Sequence, residues 1–153
     1  MTTPQAAVSA AMQLLSRRNY SEQQLFQKLL TKEFSDEQAQ SACDYAIENG
    51  WLNDRIYAEQ LVRSQLAKAY GPKRASMYLQ SKGIAANLAS EIVAEPDWDW
   101  YAALEKAFHR KYTASDLKNW QPRSKVSAYL YRRGFASDLI NILYQEVTSE
   151  DGE

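Results

Sequence analysis

The sequence predicts an all-α protein of three tandem three-helix repeats forming an elongated, curved array. Three observations lead to that fold class. Apolar residues recur at spacings of three and four along nearly the whole chain, and no long alternating stretch offers a sheet. A segment recurs with a period near 50 residues: residues 70–92 read YGPKRASMYLQSKGIAANLASEI, residues 120–143 read WQPRSKVSAYLYRRGFASDLINIL, and a fainter copy occupies 20–42. An offset of 51 carries Gly83, Ile84, Leu79 and Leu88 onto Gly134, Phe135, Leu130 and Leu139, and an offset of 50 carries Tyr70, Leu79 and Ile84 back onto Tyr20, Leu29 and Phe34. Finally, the first helix of each repeat closes on a basic residue, a spacer and a tyrosine: Arg18-Asn19-Tyr20, Lys68-Ala69-Tyr70 and Arg110-Lys111-Tyr112. Units this small bury their apolar faces by stacking on their neighbours.

In the first repeat, residues 1–52, Val8, Ala11, Met12 and Leu15 form a stripe that ends near Arg17, Arg18 and Asn19. Ser21 with Gln24, and Ser35 with Gln38, have the spacing of capping boxes, in which side chain and backbone bond reciprocally at a helix start. Leu25, Leu29 and Leu30 supply the second stripe. Phe34 is positioned to staple over the third helix near Ala39. That helix carries Ala42, Tyr45, Ala46 and Ile47 to a stop at Asn49 and Gly50, which tolerate the left-handed conformation of a helix end.

The second repeat, residues 53–95, opens with Asn53 or Asp54 as N-cap and buries Tyr57, Ala58, Leu61, Val62 and Leu66. Gly71 is expected to break this helix and Pro72 to open the next, where a missing proline N–H costs nothing. Met77, Tyr78 and Leu79 are the residues to bury there. Gly83 ends the helix, and Lys82 places positive charge at the negative end of its dipole. Ile84 leads into a helix using Leu88, Ile92 and Val93.

The third repeat, residues 96–153, starts at Pro96 and the segment DWDW. Asp97 and Asp99 are assigned to the first turn of a helix, where acids favour the dipole, rather than to a catalytic pair. Tyr101, Leu104, Ala107 and Phe108 form its stripe. After a polar linker at 113–121, Pro122 takes the part of Pro72 before Val126, Tyr129 and Leu130, and Gly134 closes that helix. Phe135 enters the last helix, with Leu139, Ile140, Leu143 and Tyr144. Residues 1–5 and 148–153 are expected to fray.

Composition narrows the function. The 153 residues are 45% hydrophobic and 24% charged, ordinary for a folded chain. A single cysteine, Cys43, permits no intramolecular disulfide and no multi-thiolate zinc site, and suits a reducing, cytoplasmic compartment. No stretch approaches the roughly 18 apolar residues that span a bilayer, so no membrane partner is expected. His109 is the one histidine, which leaves no histidine cluster for a metal. It is read as a surface partner of Glu105 four residues earlier. Cys43, among Ala42, Tyr45 and Ala46, reads as a packed thiol. The glycines are spaced as helix stops, not as a phosphate-cradling loop. The expectation is a protein that is not an enzyme and needs no cofactor.

The net charge of −1 hides a strong segregation. Residues 1–60 carry five bases and eight acids. Residues 63–82 carry Arg63, Lys68, Lys73, Arg74 and Lys82 with no acid, and residues 106–133 carry eight bases against Asp116. Such runs build a local positive field that suits a polyanion or an acidic protein face. The candidate contact residues are Lys68, Lys73, Arg74, Lys82, Arg110, Lys111, Arg123, Lys125, Arg132 and Arg133. Tyr70, Tyr78, Tyr112, Tyr129 and Tyr131 lie among them, and aromatics interleaved with cations stack on bases or anchor interfaces.

The run NGWLNDRIYAEQLVRSQLAKAYGPKRASMYLQSKGI from Asn49 resembles the central signature of the RecX family of RecA regulators. The likeness rests on Gly50-Trp51-Leu52-Asn53-Asp54, Tyr57-Ala58, Tyr70-Gly71-Pro72, and Leu79 with Lys82-Gly83-Ile84. It continues through Asp97-x-Asp99-Trp100, Arg110-Lys111-Tyr112 and Leu130-x-x-Arg133-Gly134-Phe135. The resemblance implies three tandem three-helix repeats that bind RecA and RecA–DNA filaments, and a monomer is expected because nothing in the sequence demands self-association. It further implies suppression of ATP hydrolysis, strand exchange and coprotease activity. Glu33 departs from the pattern, standing where the other repeats have Gly83 and Gly134. Weak contacts to single- or double-stranded DNA are expected beside the RecA partner, and the alternative from the residues alone is a stand-alone DNA-binding protein with helix-turn-helix-like modules.

Overall fold

A computed structural model describes residues 4–151. The first module comprises α1 (Pro4–Arg17), α2 (Glu22–Thr31) and α3 (Asp36–Glu48). The second comprises α4 (Asp54–Ala67), α5 (Pro72–Ser81) and α6 (Ala86–Val93). The third comprises α7 (Trp100–Lys111), α8 (Trp120–Arg132) and α9 (Ser137–Asp151), with a 3-10 turn at Ala114–Leu117. No strand occurs among the described residues. Of the ends expected to fray, the described part is helical: α1 starts at Pro4 and α9 runs to Asp151. Residues 1–3 and 152–153 lie outside the described residues.

The helix starts follow from side-chain chemistry. In both capping boxes the serine Oγ accepts the N3 backbone N–H at 3.1 Å, from Gln24 to Ser21 and from Gln38 to Ser35. The glutamine Oε1 atoms accept the serine N–H groups in return. Asn53, not Asp54, caps α4 by accepting the Ile56 N–H at 3.1 Å. Asp99 caps α7 by accepting the Ala102 N–H at 2.9 Å, a structural task. Such caps stabilise a helix by about 1 kcal/mol each. Helix α8 begins at Trp120, two residues ahead of Pro122, which still falls in the first turn where no intrahelical donor is needed.

Five helices stop in the same way. A residue in the left-handed region follows the C-cap, and the next N–H reaches back to the carbonyl five residues earlier: Phe34 to Leu29, Trp51 to Ala46, Tyr70 to Gln65, Ile84 to Leu79 and Phe135 to Leu130. The left-handed residues are Glu33, Gly50, Ala69, Gly83 and Gly134, with φ between 60° and 100°. Ala69, not Gly71, therefore ends α4. Gly71 is instead the N-cap of α5 with an ordinary φ of −91°.

Each module has its own core. Ala7, Ala11 and Leu14 of α1 pack with Leu25, Leu29, Ala39, Ala42, Cys43 and Ala46. Tyr57, Ala58, Val62, Leu79, Ile84, Ala89 and Ile92 form the second, and Leu104, Phe108, Val126, Leu130, Phe135, Ile140 and Leu143 belong to the third. Each fully buried leucine contributes about 1.5–3 kcal/mol. Several expected core positions face outward: Met12, Tyr45, Ile47 and Met77 are exposed, and Ala75 takes the buried place expected of Met77. The polar linker is anchored by Leu117, which is buried in the third core.

The cores also interlock. Trp98 and Trp100 pack on the second core and donate their indole N–H groups to the carbonyls of Ile92 at 2.7 Å and Val93 at 3.1 Å. The DWDW segment thus binds the start of the third module to the second. Leu66 packs on both the second and third cores, and Ala69 lies in the third.

Candidate functional site

The two joints between modules are built on one plan. At the joint of modules two and three, the N–H groups of Gly71 and Lys73 at the start of α5 donate to the carbonyls of Arg133 at 2.7 Å and Gly134 at 3.2 Å at the end of α8. Donors orphaned at one helix start thereby meet acceptors orphaned at another helix end, so the positive end of one dipole faces the negative end of the other. At the joint of modules one and two, Ser21 Oγ at the start of α2 donates to the Lys82 carbonyl at the end of α5, at 2.7 Å. The Glu22 N–H donates to Asp54 Oδ1 at 2.8 Å. Burial raises the proton affinity of Asp54 above its ordinary value, and the Glu22 N–H partly offsets this.

This close approach dictates glycine. A Cβ on Gly83 would stand 2.5 Å from Ser21 Oγ, one on Gly134 would stand 2.6 Å from Arg74 N and Cβ, and one on Gly71 would stand 2.4 Å from the Gly134 oxygen. Glu33 takes up the same left-handed position at the end of α2, where it is exposed and its side chain has room. The departure from glycine leaves the backbone plan intact.

Beside the second joint, three cations of module three close the end of α4. Lys106 Nζ donates to the Ala67 carbonyl at 3.0 Å, Arg110 Nη1 to that of Lys68 at 3.4 Å, and Arg133 Nε to that of Ala69 at 3.0 Å. Arg133 Nη2 also donates to the Lys68 carbonyl. The Arg133 guanidinium lies 4.4 Å from the Tyr70 ring centroid and that of Arg74 lies 4.0 Å from it, so two cations engage this ring. Arg110 and Arg133, both expected to meet a partner, are therefore bonded across the joint.

Alongside each joint runs a groove. The one between modules two and three, about 550 Å³, is lined by Lys68, Lys73, Arg74 and Arg132, with Met77 and Tyr131. No acid lines it, and none of the four cations pairs with a carboxylate among the described residues. The groove between modules one and two, about 380 Å³, is lined by residues at corresponding repeat positions. Arg18 stands for Lys68, Tyr20 for Tyr70, Lys28 for Tyr78, Gln27 for Met77, Gln80 for Tyr131 and Gly83 for Gly134. It too lacks an acid, and Lys82 belongs to it.

The sequence-predicted residues thus divide into groups. Lys68, Lys73, Arg74 and Arg132 converge on one groove and Lys82 lines the other. Lys111 lies 4.7 Å from the Tyr129 ring centroid and Arg123 4.7 Å from that of Tyr144, while Lys125 is exposed on α8 and lines neither groove. Arg18 and Lys28 of module one were not among the expected contacts, although Arg18 belongs to the basic–spacer–tyrosine ending and lies 3.9 Å from the Tyr20 ring.

Other chemistry is sparse. Burial pushes the Cys43 thiol up to about 12, and Glu22, Asp44 and Asp54 add to the effect, so the thiolate that would act as a nucleophile is suppressed. His109 is exposed and edge-on to Phe108. Among the described residues no group of three or more His, Cys, Asp or Glu could hold a metal ion. None of the described helices is long and apolar enough to cross a membrane.

Comparison with known proteins matches the modules in order. Residues 7–45 fit the family model for the RecX first three-helix domain, residues 53–92 the second, and residues 97–143 the third. A regulatory protein RecX of Actinobacillus pleuropneumoniae is 30% identical over 97% of this chain and 99% of its own length. The chain belongs to the RecX family. A second relative, regulatory protein RecX of Vibrio campbellii, is 30% identical over 86% of this chain and 85% of its own. The fold of this chain is shared with the crystal structure of RecX from Lactobacillus salivarius, at a TM-score of 0.80 and 23% identity over 94% of this chain and 96% of that one. Family membership makes the chain a regulatory protein by its relatives' description.

Proposed function

We propose that this protein binds RecA and RecA–DNA filaments in the cytoplasm and restrains their recombinase, ATPase and coprotease activities, acting as a monomer without catalysis of its own. The observation that carries the reading is the acid-free, cationic groove beside each joint of a RecX-family chain. A local positive field of this kind favours an anionic partner. The module order lets one chain reach neighbouring protomers and oppose the motions that accompany ATP turnover. Head-to-tail helix contacts and the clamp of Lys106, Arg110 and Arg133 on α4 supply the stiffness such bridging needs.

The reading is tested by the DNA-stimulated ATPase of RecA with and without this protein, across salt concentration. Inhibition that persists at physiological salt supports it, and an unaltered ATPase opposes it. The presence of cations in the grooves beside both joints also favours a second reading, a stand-alone DNA binder. A protein that neutralises several phosphates loses affinity steeply with log[salt]. Weak binding to bare DNA at physiological salt, with filament inhibition retained, removes that second reading.

A further inference from the structure

The two grooves differ at the positions least expected of a folded surface. Met77 is 64% exposed and Tyr131 52% exposed, and both line the groove between modules two and three. At the corresponding positions of the other groove stand Gln27 and Gln80. The repeat therefore does not require apolar side chains here. Lys68, Lys73, Arg74 and Arg132 surround the pair, and no acid does.

We infer that this groove docks an acidic protein segment, through one apolar side chain seated between Met77 and Tyr131 and carboxylates set against the surrounding cations. The inference rests on the regulatory reading above and assigns the chemistry of the partner surface at one place. Met, Tyr and Arg are enriched in the cores of protein interfaces, and methionine's flexible thioether adapts to a protein side chain. A nucleic-acid strand recruits cations and flat rings, but a methionine offers no face on which a base can stack. Of the other two rings in the groove, Tyr70 is already engaged by Arg74 and Arg133, and Tyr78 by Lys82, whose Nζ lies 5.3 Å from its centroid. Charge complementarity requires acids on the occupant because every charged lining residue is a cation.

The test uses the full chain and three labelled probes: a short glutamate-rich helical peptide with one central leucine, the same peptide with glutamine at that place, and an oligothymidylate of equal charge. Binding is read by fluorescence anisotropy at physiological salt. The leucine peptide is expected to bind the most tightly, and Met77→Gln with Tyr131→Gln to weaken it by about tenfold. Met12→Gln, an exposed methionine outside the groove, is expected to leave it unchanged. Because Met77 and Tyr131 are exposed, the double variant is expected to melt as the parent does. The inference is overturned if the oligothymidylate binds as tightly as the leucine peptide, or if neither the leucine nor the two groove residues affect binding. Filament inhibition separates this result from the regulatory reading. Absence of inhibition by the parent protein removes that reading and leaves the peptides to decide the groove, whereas equal inhibition by parent and double variant removes the groove's part in regulation.

Discussion

The groove between modules one and two and the groove between modules two and three share a backbone plan and differ in what lines it. In both, a helix start meets a helix end through hydrogen bonds, and a left-handed glycine allows the contact. The first is lined by Gln23, Gln24, Gln27 and Gln80 among its cations, while the second has Lys73, Arg74, Met77 and Tyr131 at the matching places. Geometry is thus a property of the repeat, and chemistry a property of the copy. The clamp adds a further difference, since Arg133 donates to the Lys68 and Ala69 carbonyls while Lys82, its repeat counterpart, makes no such bond. The second joint combines the stronger fastening with the more adhesive groove.

Replacing the glycines gives the largest effects. Gly134→Ala combines a left-handed residue with a Cβ 2.6 Å from Arg74 backbone, and should destabilise by about 3 kcal/mol. Gly50→Ala, with nothing within 4 Å of the new Cβ, should lose only about 1 kcal/mol. Urea denaturation of both separates contact from backbone strain, and equal losses would refute the close-contact account. Next, Arg133→Ala should destabilise by about 2 kcal/mol through lost charge-assisted bonds, against about 0.5 kcal/mol or less for Lys82→Ala. Similar values for the two would erase the distinction between the joints. Glu33→Gly relieves a left-handed glutamate at the free end of α2 and should stabilise by up to about 1 kcal/mol, visible as a raised melting temperature.

The smallest effect is a pH dependence at the first joint. Because burial raises the Asp54 pKa on folding, the folded state holds this proton more firmly than the unfolded chain. That contribution to stability is present below the ordinary value of 3.8 and is lost as pH rises through the raised one. Asp54→Asn should flatten this part of the stability profile while its side-chain oxygen still accepts the Glu22 N–H. An unchanged slope would show that Asp54 does not feel the joint.

Much of the fold was legible because its signals are local. The capping boxes at Ser21 and Ser35, the glycine stops at Gly50, Gly83 and Gly134, and the period near 50 residues depend on neighbours in sequence and appear as expected. What was not legible depends on stacking. Gly71 resembles a helix breaker in sequence, yet its role is to let the Gly134 carbonyl approach. Met12 and Met77 fit the apolar period by one position but lie on the outer flank of their stripes, where Leu14 and Ala75 point inward. Arg110, Arg132 and Arg133 form one basic run on paper, and only the joint separates Arg110 and Arg133, bonded to carbonyls, from Arg132 in the groove. Arg18 and Lys28 were lost in a module whose overall charge is acidic, because summed charge says nothing of which edge holds the cations.

The most direct test of the account compares inhibition of the RecA–DNA ATPase by the parent protein and by Lys73→Glu with Arg132→Glu, two groove cations whose side chains are not among those that bond across the joint. Lys125→Glu, outside both grooves, serves as the charge-matched reference, and circular dichroism verifies helicity. The account predicts inhibition by the parent, near-parental inhibition by the reference, and at least about a tenfold loss of potency for the groove variant. Equal potency of the groove variant and the parent would contradict it.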